Sequence, residues 1–151
     1  MLTRNDLARD AVALDVTGIE GHAHRVRVTR GAGGSLRVDC TCAFFQRERW
    51  CRHVVDVLCM RLRALGVPDE EAAFAVEEAV MGTAAEDQAH ALDRALIAYE
   101  RALAAFEEGR STSLSADVVE TMGTLARDVA DAAAAFGDAA IRFKRTIGEA
   151  A

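Results

Sequence analysis

Four residues constrain this chain more than any others: Cys40, Cys42, Cys51 and His53. They stand as Cys40-Thr41-Cys42, then eight intervening residues, then Cys51-Arg52-His53. Two close pairs of sulfur and imidazole donors, separated by a short linker, suit a tetrahedral Zn²⁺ ion. Structural disulfides are the poorer explanation in a reducing compartment. Two other readings compete: small buried cysteines beside a surface histidine, or redox thiols. The spacing favours zinc over both. Apolar alternation precedes the first pair and helical periodicity follows the second, so the metal would pin a strand end to a helix start. A helix N-terminus also favours the negative charge of a Cys51 thiolate. Three Cys and one His complete the coordination and leave no position for a catalytic water. The expected cofactor is one structural Zn²⁺ per chain.

Before the metal residues, apolar positions alternate with polar ones. Val12, Leu14 and Val16 are set against Asp15 and Thr17; Val26 and Val28 are set against Arg25, Arg27 and Thr29. Gly31 to Ser35 form a glycine-rich turn, after which Leu36, Val38 and Cys40 alternate with Arg37 and Asp39. Period-two runs joined by turn residues predict a three-stranded antiparallel meander. Upstream, Thr3 and Asp6 form a weak N-cap signature for a short helix. Downstream of the metal residues, Val54, Val55, Leu58, Leu62 and Leu65 recur at helical spacing, and Gly66 and Pro68 end the pattern. Segment 69–81 opens on Asp69, Glu70 and Glu71, and its Phe74, Val76, Val80 and Met81 predict a short amphipathic helix.

The remainder reads as two long helices. Thr83 and Glu86 form a capping box, followed by a stripe of Ala85, Ala89, Leu92, Leu96, Tyr99, Leu103 and Phe106. Gly109 and the cluster Ser111-Thr112-Ser113 end it. A second stripe runs through Val118, Met122, Leu125, Val129, Ala132, Phe136, Phe143 and Ile147. A short polar link between two such helices predicts an antiparallel hairpin. One hairpin buries only one seam, so a homodimer through residues 84–151, forming a four-helix bundle, is the expected assembly. The fold class is therefore α+β, in three parts. Residues 1–66 make a meander plus helix around zinc, residues 67–83 a linking short helix, and residues 84–151 the helical hairpin.

The pattern Cys40-Thr41-Cys42, Cys51-Arg52-His53 and the apolar run Val54-Val55-Asp56-Val57-Leu58 resembles the SWIM-type zinc finger, whose signature is CxC…CxH. The resemblance spans about residues 12–65. The family often carries Pro after the second Cys and Gly shortly before the third, where this chain has Ala43 and Trp50 near those places. SWIM fingers are associated with DNA binding and with protein interaction, in chromatin-remodelling ATPases, transposases and recombination accessory proteins. Those two roles are what the resemblance implies for this chain.

Charge offers a further guide. Residues 1–66 hold 11 Arg against 7 acids, whereas residues 67–151 hold 7 basic residues against 17 acids. The zinc linker runs Phe44, Phe45, Gln46, Arg47, Glu48, Arg49 and Trp50, with Arg52 just beyond. Cations among aromatics suit either phosphate contact with base stacking or an Arg- and Trp-anchored protein interface. Arg25, Arg27 and Arg37, opposite the apolar strand face, would extend that surface. The candidate recognition residues are therefore Arg25, Arg27, Arg37, Arg47, Arg49, Trp50 and Arg52. The acidic majority disfavours nucleic acid, so a protein partner is the first expectation and DNA the alternative.

Other residues carry less. His22 and His24 share one side of a strand and read as a surface pair, Cys59 as a small core residue, and His90 with Asp87 and Asp93 as a solvated helix face. Hydrophobic residues at 51% and charged residues at 28% fit a folded protein. No apolar run approaches the roughly 20 residues that span a bilayer. The charged start after Met1 argues against a signal peptide, so a cytoplasmic location without membrane contact is expected. No nucleophile elbow, phosphate-binding loop or dinucleotide fingerprint is present, and the reading is of a non-enzymatic adaptor.

Overall fold

The computed structural model describes residues 11–17, 21–63, 65–67, 70–110 and 116–148. The N-cap signature at Thr3 and Asp6 and the link at 111–115 lie outside the described residues. Strands β1 (Ala11–Thr17), β2 (Ala23–Arg30) and β3 (Leu36–Cys40) form the expected antiparallel meander in the order β1-β2-β3. Leu14 pairs with Val26, Val28 with Val38, and Val26 with Cys40. Because side chains alternate, Leu14, Val16, Val26, Val28, Leu36, Val38 and Cys40 share one face, and all are buried. The opposite face carries Asp15, Arg25, Arg27, Arg37 and Asp39.

Helices α1 (Ala43–Glu48) and α2 (Arg52–Leu58) follow, and α2 covers the sheet with Val54, Val55, Val57 and Leu58, each 0% exposed. The continuous helix expected as far as Leu65 is not formed. Cys59 caps α2, Met60 turns left-handed at φ 57°, and the Arg61 amide donates back to the Asp56 carbonyl at 2.8 Å. Such a reversal is a common way to satisfy the last carbonyls of a helix. Asp56, 8% exposed, then accepts from Arg52 Nε at 3.2 Å and Arg61 Nη1 at 3.0 Å. Arg61 reaches this carboxylate from beyond the reversal. Leu62 and Leu65 stay buried in the turns that follow, so the apolar spacing outlasts the helix. The Leu65 carbonyl accepts from the Thr17 amide at 2.9 Å, tying this segment to β1.

Helix α3 (Glu70–Val80) lies on β1 and β2, burying Val76, Ala79 and Val80, and Arg30 Nη1 donates to the Glu78 carbonyl at 2.9 Å. Phe74 and Met81, expected on the buried face, are both 61% exposed. The stripe turned to the sheet is narrower than composition suggested: Phe74 faces out, and Met81 lies just beyond the end of the helix.

Helix α4 (Ala84–Arg110) starts at the expected capping box: Thr83 Oγ1 accepts from the Glu86 amide at 3.3 Å, and Glu86 Oε2 accepts from Gly82 at 2.7 Å. Helix α5 (Ala116–Gly148) follows. The chain forms two compact units, one of residues up to His90 together with those from Arg142, the other of Ala91–Ile141. In the first, Ala85, Ala89, Phe143 and Ile147 are buried, and Lys144 Nζ lies 4.0 Å from Glu48 Oε2 of α1. In the second, α4 and α5 run antiparallel. Tyr99 stacks on Phe136 at 6.1 Å, and Gly109 sits so close to Met122 and Leu125 that a Cβ would fall 2.9 Å from Leu125 Cδ1. Gly109 is the penultimate residue of α4, so the helix ends where the sequence places its end.

Replacing Met60 by Gly distinguishes a left-handed cap from a continued helix. At φ 57° the substitution relieves backbone strain and raises stability by about 1 kcal/mol in chemical denaturation. A continued helix would instead lose about 1 kcal/mol.

Candidate metal centre

The strand and the two short helices converge on one point. Cys40 ends β3, Cys42 is the N-cap of α1, and Cys51 is the N-cap of α2, with His53 in its first turn. Cys42 Sγ accepts from the Phe45 amide at 3.4 Å, and Cys51 Sγ accepts from the Val54 amide at 3.4 Å. Cys40 Sγ accepts from the Cys42 amide at 3.5 Å. Each sulfur thus has a backbone donor, and two sit where helix ends leave amides unpaired. These bonds favour thiolates, the form that binds metal.

One ligand atom from each of Cys40, Cys42, Cys51 and His53 lies within 4.8 Å of all the others, and Cys40 Sγ is 3.9 Å from His53 Nδ1. Around tetrahedral zinc with bonds near 2.3 Å, sulfurs sit about 3.8 Å apart, so a small contraction closes the shell. Three sulfurs and a nitrogen are a donor set that zinc prefers. The centre fits one structural zinc ion held by the four expected residues.

The thiols are not alike. Hydrogen bonding from the Cys51 thiol, helped by the Cys42 amide, lowers the Cys40 pKa to about 5 against the cost of burial. Cys51, as the donor to Cys40 and buried, is pushed well up, and burial raises Cys42. Three adjacent buried thiolates repel one another, and a dication removes that obstacle.

Residues 25–58 match the family model of the SWIM zinc finger. No curated protein and no solved structure matches the chain. The match ends with α2 of the SWIM-like finger and includes all four ligands.

The finger's linker explains both departures from the usual pattern. Ala43 is the first helical residue of α1, after an extended Cys42 at ψ 146°, a place where proline fits without loss of a needed donor. The left-handed residue that glycine would supply is Arg49, at φ 58°, whose amide caps α1 by donating to the Phe45 carbonyl at 2.8 Å. Helix α1 itself escaped the sequence reading. Its six residues are too few for a periodic stripe; a cysteine N-cap before Ala43 was its only signal.

The candidate recognition residues fall in two places. On the strands, Arg25 forms a fork with Asp15, Nε to Oδ1 at 2.8 Å and Nη2 to Oδ2 at 3.0 Å, which holds the Asp15 carboxyl below its ordinary pKa. Arg37 Nε lies 3.2 Å from Asp39 Oδ2, and Arg27 stands opposite Asp39 in the sheet register. At the linker, Phe44 is 43% exposed and meets Trp50 edge-on at 5.2 Å. Arg47 lies over the Phe44 ring at 5.7 Å, and Arg49 over the buried Phe45 at 5.3 Å. Arg52 engages Asp56. The structure therefore groups Arg47, which also pairs with Glu48 at 3.1 Å, and Trp50 with Phe44, seats Arg49 on Phe45, and leaves Arg25, Arg27 and Arg37 on a sheet face shared with acids.

Among the described residues, the four ligands are the one cluster of Cys, His or acidic groups able to hold a metal. His24 lies against His53 rather than forming a site with His22. Cys59 is half-buried at the cap of α2 and not in the core.

Replacing Cys42 by Ser, or His53 by Ala, should abolish stoichiometric zinc uptake and unfold the segment from β3 through α2, read by metal analysis and amide NMR. At pH 7 zinc uptake should release about two thiol protons, from Cys42 and Cys51, because Cys40 is already ionised; calorimetry in buffers of different protonation enthalpy measures this. Affinity therefore falls as pH is lowered. Replacing Ala43 by Pro should keep zinc and stabilise the finger by about 0.4–1 kcal/mol.

Proposed function

We propose that the chain is a non-enzymatic adaptor in which zinc shapes a protein-recognition surface and the distal helical hairpin joins two copies of the chain. The observation that carries this reading is the hairpin seam. Leu96, Tyr99, Leu103 and Phe106 of α4, with Met122, Leu125, Val129 and Phe136 of α5, are only half-buried within one chain. Val119 is 62% exposed. Two helices enclose a seam on one side only, and a second pair from another copy would complete a four-helix bundle. A zinc ion with four protein ligands holds structure rather than activating water. The recognition surface is the linker cluster of Phe44, Arg47, Arg49 and Trp50, in which aromatic and arginine anchors suit an interface hot spot.

DNA binding is the second reading, and the same cluster favours it, since arginines beside the exposed Phe44 ring also suit phosphates and bases. Against it, Arg25, Arg37, Arg47 and Arg52 already face carboxylates. Among the described residues no helix is long and apolar enough to cross a membrane.

Two measurements on the zinc-loaded chain test these readings. Sedimentation should give a dimer, and replacing Leu103 and Val129 together by Asp should give a monomer that keeps its zinc; a wild-type monomer would refute the arm's role. Fluorescence anisotropy with single- and double-stranded DNA at two salt concentrations should show no tight binding. Tight binding that falls steeply with salt and disappears on replacing Arg47, Arg49 and Arg52 would favour the DNA reading.

A further inference from the structure

The four ligands are unequally protected. Cys40 and Cys51 are each 2% exposed and Cys42 5%, whereas His53 is only half-buried. The imidazole is therefore the corner through which solvent, or a competing chelator, reaches the metal. One ring stands against it there: His24, whose centroid is 4.7 Å from that of His53, with the planes tilted by 45°.

The placement of His24 follows from the sheet. It pairs with Val16 and lies two residues before Val26, so it shares the face that carries Val26 and Cys40. Its backbone is held next door. The Arg25 amide donates to Thr41 Oγ1 at 2.8 Å, and the Thr41 amide donates to the Arg25 carbonyl at 3.0 Å. The residue between Cys40 and Cys42 is thereby tied to the residue after His24. The backbone beside His24 is thus anchored to that of the first cysteine pair. His53 comes from another element, the first turn of α2, and its Nδ1 faces Cys40 Sγ. A ring fixed to the sheet and seated on a ring from the helix limits rotation of the latter.

We propose that His24 is a positioning residue for the ligand His53: its ring holds the imidazole with Nδ1 toward the metal and slows zinc exchange through the histidine corner. The proposal rests on zinc occupancy of the four-ligand centre and is independent of the adaptor and DNA readings. Groups that orient a metal-binding histidine act on affinity without touching the ion.

The test uses the full chain, first shown to hold one zinc, with His24 replaced by Ala, Leu or Phe. Zinc transfer to an excess of a chromophoric chelator gives the exchange rate, and Co²⁺ substitution gives the ligand-field spectrum. Ala and Leu should speed zinc loss by at least about 10-fold and perturb the cobalt bands, while Phe, which keeps a flat ring, should stay within about threefold of wild type. The Leu variant preserves apolar volume, so it reports on the ring even if the Ala variant folds poorly. Exchange rates that ignore residue 24 would overturn the proposal, as would equal losses of stability with and without zinc and an unchanged cobalt spectrum. Loss of a nitrogen donor from that spectrum in the Phe variant would make His24 a ligand, which also overturns it. A wild-type chain that takes up no zinc would refute the metal centre itself, a separate result.

Discussion

Coordination of one ion by the end of β3 and the starts of α1 and α2 is the constraint on which the rest of the finger depends. A three-stranded sheet with two short helices is too small to exclude much water on its own account. Here the sheet's buried face, the four fully buried side chains of α2 and the buried Phe45 of α1 belong to the elements that carry the ligands. The three sulfurs receive backbone amides at 3.4–3.5 Å, so the metal, the helix caps and the strand end are one cooperative junction. The chemistry of the thiols works in the same direction, since three neighbouring thiolates are tolerable only with a cation among them.

That junction also arranges the surface beside it. The eight-residue linker between the cysteine pairs forms α1 and a left-handed turn at Arg49, which brings Arg47 and Trp50 against Phe44 and Arg49 over Phe45. The basic character of the finger is muted. Arg25, Arg37, Arg47 and Arg52 have carboxylates within 3.2 Å, and surface pairs of this kind mainly cancel charge rather than add stability. A count of arginines therefore overstates how basic the finger is to an approaching partner.

Much of the architecture was legible in the residues because it rests on local periodicity. Period-two alternation located the three strands, and the glycine cluster located the turn between the last two. The capping box at Thr83 and Glu86 marked the start of α4. Reading failed where a rule of spacing persists through a change of backbone. Leu62 and Leu65 keep helical spacing, yet the helix ends at Leu58 because Met60 turns left-handed. Phe74 is apolar but faces outward, since only the sheet's position decides which side of α3 is covered, and Met81 falls beyond the helix end.

The sequence by itself determined the donor set, the strands and helices that carry it, and the likeness to a SWIM finger, because ligand type and spacing are properties of the chain. Tertiary structure decided that Arg25 meets Asp15 across two strands and that His24 sits on His53. It also left the helical seam half-covered within one chain. Those outcomes depend on distances between residues remote in sequence, and a distance of that kind is set by packing and register. No local pattern encodes it.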